Sequence, residues 1–133
     1  MSRLANTSEV ERGHLHQRIM ANLQVQASWT DAESGNTIFV DGMTENLGET
    51  TALINLEVLP PVGSEVSLRL IDEEKTIIEV PTTVIRVERD PSKPLAALSV
   101  LSNLGKWKQI ALTAAQSWVT KHWQLNYDEE WIN

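Results

Sequence analysis

Two acidic triplets, Asp72-Glu73-Glu74 and Asp128-Glu129-Glu130, and one histidine pair, His14-x-His16, are the side chains closest to a reactive constellation. Neighbouring carboxylates act as general acid and base only where a pocket drives their proton affinities apart, and at a turn they read instead as solvated charge. The two histidines would put both rings on one side of an extended arm, as a metal pair needs, but no third ligand accompanies them and no metal site is assigned. The chain contains no cysteine, which removes thiol nucleophiles, disulfide frameworks and thiolate zinc sites together. It also lacks a GxSxG elbow, a GxxxxGK phosphate loop and a GxGxxG turn after a strand. No catalytic residue is expected, and the chain reads as a non-enzyme without a cofactor.

Binding chemistry is better represented. Thr44 to Thr51, TENLGETT, is a polar stretch with one Gly between two apolar runs that read as strands, Thr37-Ile-Phe-Val and Ala52-Leu-Ile-Asn-Leu. A loop held in this way at the rim of a sheet is where binding groups usually reside. Upstream lies a mildly basic arm, with Arg3, Arg12, Arg18, His14 and His16 set against Glu9 and Glu11. The formal charge of the whole chain is −7, which argues against sequence-independent binding of polymeric nucleic acid, because that affinity comes from neutralising many phosphates. A small anionic ligand at the basic arm is compatible with this balance.

The elements that must position these groups are mostly strands. A chain of 133 residues is expected to form one domain with a single core. Leu23, Val25, Ala27 and Trp29 alternate with polar residues as in a half-buried strand, and Asp31 to Asn36 follows as a turn. A strand from Thr37 to about Met43 is preferred over a tight turn at Asp41-Gly42. Further strands are expected over Ala52 to Val58, Glu65 to Ile71, Thr76 to Glu88 and Leu95 to Leu101, with Pro81 demanding a bulge, a bend or an edge. Strands at this spacing without intervening helices predict antiparallel pairing in a barrel or sandwich. Asn103 then reads as the N-cap of an amphipathic helix with Leu104, Trp107, Ala111, Ala114, Trp118 and Leu125 on its apolar stripe. The boundaries expected are a basic arm over residues 1–17, a barrel over 18–101, a helix over 102–126 and an acidic, loosely ordered tail over 127–133.

Five tryptophans are a large share of the aromatic inventory. Trp107 and Trp118 are explained by core packing, whereas Trp123 and Trp131 fit the stripe less well and are candidates for a partner surface. No apolar run approaches the ~20 residues of a membrane span, and the N-terminus lacks the apolar segment of a secretory signal. A cytoplasmic location is the expectation, either alone or as the cytoplasmic part of a membrane protein.

Taken in order, several pieces resemble a PilZ domain. They are His14-Leu-His-Gln-Arg18-Ile, Gly42-Met-Thr-Glu-Asn46-Leu-Gly48-Glu-Thr-Thr51-Ala-Leu-Ile, Pro61-Val-Gly63-Ser-Glu-Val-Ser-Leu-Arg-Leu and Val84-Ile-Arg-Val, and they span about Gln17 to Val100. The resemblance implies a mainly β fold: a six-stranded antiparallel barrel with a C-terminal amphipathic helix. It also implies a ligand, the bacterial second messenger cyclic di-GMP, bound by an RxxxR arm and a (D/N)xSxxG loop. Guanidinium groups grip phosphates and stack on guanine, while short polar residues and a Gly let the loop backbone approach a base.

Carried over residue by residue, Arg18 takes the second Arg position and His14 the first, with Arg12 nearby as a substitute. Asn46 matches the Asp/Asn position, Gly48 stands where Ser is expected, and Thr51 stands where Gly is expected. Imidazole lacks the fixed charge and planar fork of a guanidinium, and Thr adds a branched side chain where backbone should approach the ligand. Each lost charge-assisted hydrogen bond is worth about 1.5–3 kcal/mol, and two would weaken binding roughly a hundredfold or more. These departures favour a regulatory module acting by protein contact, through the barrel face or the Trp-bearing helix. PilZ domains are appended to larger proteins, including polysaccharide synthases such as bacterial cellulose synthase, so the implied partner is a host glycosyltransferase or another protein. The alternative is a working cyclic di-GMP receptor that regulates a polysaccharide synthase. A small enzyme or sugar-binding barrel is the third reading, and the chain offers no constellation for it.

Overall fold

The computed structural model describes residues 18–132, with side chains through His122. Six strands form a closed antiparallel barrel: β1 (Gln24–Thr30), β2 (Thr37–Leu47), β3 (Thr51–Leu56), β4 (Glu65–Asp72), β5 (Lys75–Glu88) and β6 (Leu95–Val100). Their order around the barrel is β1-β2-β3-β6-β5-β4, closing through β4 back to β1. A helix follows in three continuous pieces: Leu104–Lys106, a π-helical turn over Trp107–Ala111, and Leu112–Ile132. This is the barrel-plus-helix architecture that the PilZ resemblance implies.

Alternation places the core. Val25, Ala27 and Trp29 of β1, Val66, Leu68 and Leu70 of β4, and Ala52, Ile54 and Leu56 of β3 all point inward and are buried. Between them Ser67 and Arg69 face out, as period-2 patterning requires. Pro81 lies within β5, and its carbonyl accepts the N–H of Leu101 just past the end of β6. Because N–H and C=O of a strand residue point to the same side, the donor that proline lacks faces the end of a strand, where no ladder bond is lost. Asp72-Glu73-Glu74 belongs to the β4–β5 hairpin, with φ of 49° at Glu73 and 69° at Glu74, the left-handed pair of a tight primed turn.

Three expectations are corrected. Thr44 to Leu47 continues β2 instead of opening a loop, because Thr44, Asn46 and Leu47 find pairing partners on β3, and the turn shrinks to Gly48–Thr50. The helix continues past residue 126 to Ile132, since nothing in Asn126 to Ile132 is a helix breaker and Asp and Glu only weaken a C-terminal turn. Its apolar stripe is displaced: Trp107, Ala111 and Ala115 are buried, Ala114 and Trp118 are half-buried, and Leu104 is exposed. The i→i+5 turn at Trp107–Ala111 accounts for this, because the wider turn rotates the following residues relative to a regular 3.6-residue repeat. Asn103 is the N-cap residue, as expected; at φ 59° it makes no side-chain cap, and its carbonyl accepts the N–H of Trp107 at 2.9 Å.

Thr44 joins the arm to the barrel. Its hydroxyl, fully buried, donates to the Ala21 carbonyl at 2.5 Å and accepts the Leu23 N–H at 2.8 Å. Thr44→Val keeps the shape and strands both partners, and buried unpaired backbone groups are expensive. A loss of about 2–3 kcal/mol in denaturant unfolding is expected, against less than about 1 kcal/mol for the exposed Thr37→Val.

Candidate functional site

The segment before β1 is delivered to the site by pairing with β2. Ile19 and Leu47 exchange both backbone hydrogen bonds, at 2.8 and 3.0 Å, and Thr44 N–H donates to the Leu23 carbonyl at 2.8 Å. Asn22 adds a side-chain bond to the Thr44 carbonyl at 2.9 Å. Arg18 therefore sits beside the end of β2, where its Nη1 donates to Asn46 Oδ1 at 2.7 Å. The guanidinium keeps further donors, and the amide holds it in a set orientation.

Asn46 reaches this position through a β-bulge. Thr44 pairs with Ile54, and the next pairing on β2 is Asn46 with Leu53, so Glu45 is the extra residue. Facing residues in paired strands point to the same side of a sheet. Thr44 and Ile54 thus face the interior, Asn46 and Leu53 the outer side of the barrel wall, where Asn46 is itself buried, and Leu47 with Ala52 the interior again. Without the bulge, Asn46 would share the interior face with Thr44.

Arg18, Asn46 and Thr51 line one outer cleft of about 210 Å³, together with Ala52, Leu53, Ile85, Arg86 and Ala97. Its floor is the pair β3 and β6, and its sides are β2 with the arm and β5. The acids that flank Asn46 in the chain each lie against a lysine: Glu45 with Lys93 Nζ at 2.8 Å and Glu49 with Lys108 Nζ at 3.6 Å. That local compensation leaves the Arg18 end of the cleft more favourable to an anion than the overall charge suggests.

Of the residues singled out from the sequence, Arg18, Asn46 and Thr51 are brought together. Gly48 is placed behind the cleft: it is buried, its N–H donates to the Thr51 carbonyl at 2.8 Å, and its carbonyl accepts Trp107 Nε1 at 2.9 Å. Arg12, His14 and His16 lie outside the described residues, as do the side chains of Trp123 and Trp131. Sequence reasoning missed the hydrogen bond of Trp107 and the place of Arg86 in the cleft lining. Trp107 was legible as core, but a single indole donor carries no signal of the distant carbonyl it meets. Arg86 entered only as part of Val84-Ile-Arg-Val, with no role given to it.

Other features add no chemistry. Among the described residues no group of three His, Cys, Asp or Glu could hold a metal, and no helix is long and apolar enough to cross a membrane. Asp31 and Asp90 are held below the usual carboxylate range by hydrogen bonds from Ser34 and Ser92, which are turn interactions away from the cleft.

No family model matches the chain, and no curated protein matches it significantly. Solved structures do. A PilZ domain of CeSA from a cellulose-synthesizing bacterium is 21% identical with a TM-score of 0.49, over 67% of this chain and 85% of that one. The Bacillus subtilis inhibitor of motility, MotI/DgrA, is 23% identical with a TM-score of 0.49; 84% of this chain is covered, which spans 51% of that protein. The PilZ domain of YcgR from Escherichia coli, solved with c-di-GMP, is 13% identical with a TM-score of 0.48, over 86% and 92% of the two chains.

Proposed function

We propose that this chain is a PilZ-like regulatory domain that takes cyclic di-GMP in the cleft bounded by Arg18, Asn46 and Thr51, and acts on a protein partner. The observation that supports it is the Arg18–Asn46 contact. Two residues distant in sequence, both carried over from the PilZ motifs, meet at 2.7 Å on the wall of one cleft. The cyclic dinucleotide offers two phosphodiester charges and two guanine edges. A guanidinium oriented by an amide is suited to grip either. The missing hydroxyl at Gly48 and the added side chain of Thr51 weaken this site relative to a complete motif.

Calorimetric titration with cyclic di-GMP at low and moderate salt tests the reading. Saturable heat at micromolar ligand is expected, weakening with salt, and Arg18→Ala should reduce affinity about 10- to 150-fold, the equivalent of one charge-assisted hydrogen bond. Arg18 is exposed, so the variant should fold. Absence of heat at millimolar ligand would sink the nucleotide reading.

A second reading, contact with a host glycosyltransferase or other protein without any nucleotide, is favoured by a separate observation. Phe39 and Met43 share the outer face of β2, 63% and 43% exposed, and place two apolar side chains in water on either side of Asp41.

A further inference from the structure

Arg86 stands on the side of the cleft opposite Arg18, and a second backbone irregularity puts it there. Val84 pairs with Leu98 in the interior, while the next pairing on β5 is Arg86 with Ala97, so Ile85 is an extra residue. Regular alternation would have carried Arg86 to the same interior face as Val84. The bulge sends it to the outer surface and returns Val87 to the side of Ala96. Bulges beside binding sites commonly re-aim a side chain in this way. Two of them, at Glu45 and at Ile85, therefore direct an amide and a guanidinium to the same cleft from different strands. With β3 and β6 between them, β2 and β5 are three strand spacings apart, roughly 14 Å.

The surroundings of Arg86 leave it available. Its Nη1 is paired with Glu88 Oε2, and the two side chains are 57% and 49% exposed. A pair so open to water is screened and readily exchanged for another anion. Ile85, exposed by 51%, supplies an apolar surface next to it in the cleft.

From this placement we infer that Arg86 is a ligand-binding residue, a second planar donor fork offered to the acceptor atoms of a cyclic dinucleotide from the side facing Arg18, with Ile85 beneath a purine. The inference rests on the nucleotide reading above. It assigns to β5 the guanidinium that the arm lacks at His14. Glu88 then acts as an internal competitor, which ligand must displace.

The test is calorimetric titration of cyclic di-GMP into the wild-type chain and into Arg86→Ala, Arg86→Lys, Glu88→Gln and Arg18→Ala. Arg86→Ala should weaken binding at least tenfold, and Arg86→Lys should restore only part of it, because an ammonium cannot present the fork. Glu88→Gln should tighten binding several-fold by removing the competing carboxylate. If Arg86→Ala binds within twofold of wild type while Arg18→Ala is weakened tenfold or more, the inference falls and the nucleotide reading stands. If the wild-type chain itself fails to bind, both fall together.

Discussion

Trp107→Ala is expected to cost about 3–5 kcal/mol, enough to leave many domains of this size largely unfolded at room temperature. Among the described residues Trp107 is the largest fully buried side chain, and it sits in the π-helical turn where the helix meets the barrel. Truncation removes most of a buried indole and opens a cavity between elements that cannot close without moving the helix. It also strands the Gly48 carbonyl, which accepts the indole N–H at 2.9 Å in a buried setting. Trp107→Phe separates the two effects: most of the apolar volume stays, and the residual loss of about 1–3 kcal/mol reports the carbonyl left without a donor. Denaturant unfolding by circular dichroism gives both values. Because Gly48 lies in the turn that ends at Thr51, Trp107→Phe should also loosen the cleft. A greater acceleration of amide exchange at Gly48 and Thr51 than the loss of global stability produces in β4 is the expected signature; equal acceleration across the barrel would show that the bond has no local role.

Gly42→Ala is expected to destabilise by about 3 kcal/mol, the upper end of what overpacking costs, and Gly42→Val by more. A Cβ at residue 42 would lie 2.2 Å from the Asn55 carbonyl oxygen and 2.7 Å from Leu56 Cδ2. The first of these atoms is backbone, on the strand paired with β2 through Gly42↔Leu56 and Met43↔Asn55. Relief therefore requires β2 and β3 to part, which a closed barrel resists on both sides. Gly105 provides the control. It lies in the first helical turn, and a Cβ there would meet nothing within 4 Å, so Gly105→Ala should be neutral or stabilise by up to about 1 kcal/mol. The same substitution at two glycines should thus change sign with the space around the residue. Equal effects at both would refute the close-approach argument.

These two sites bear on the candidate cleft from different sides. Gly42 allows β2 to lie close to β3 just before the Glu45 bulge, and Trp107 holds the turn just after it. Asn46 and Thr51 are positioned between them. The cleft is therefore maintained by residues that do not line it, and substitutions at those residues should lower ligand affinity only together with stability.

Much of the molecule was legible from residue order because the signals are local. Alternation in Glu65 to Asp72 needs only the two-residue period of an extended chain and a demand for burial on one face, and β4 follows it through Val66, Leu68 and Leu70. The absence of helical periodicity between the strands from Leu23 to Leu101, with turns at short intervals, was enough for an antiparallel β architecture followed by a helix. Arg18, Asn46 and Thr51 could be singled out because motif spacing survives in sequence even where three positions, His14, Gly48 and Thr51, depart from it. What pairing between strands decides was not legible. Glu45 and Ile85 each shift the register by one residue, and a one-residue shift exchanges inside for outside for everything that follows. Only the closed barrel, in which every strand must satisfy two neighbours at once, determines where those extra residues go. That is why Asn46 and Arg86 face a common cleft, and why the indole of Trp107 finds a carbonyl 59 residues away in the chain.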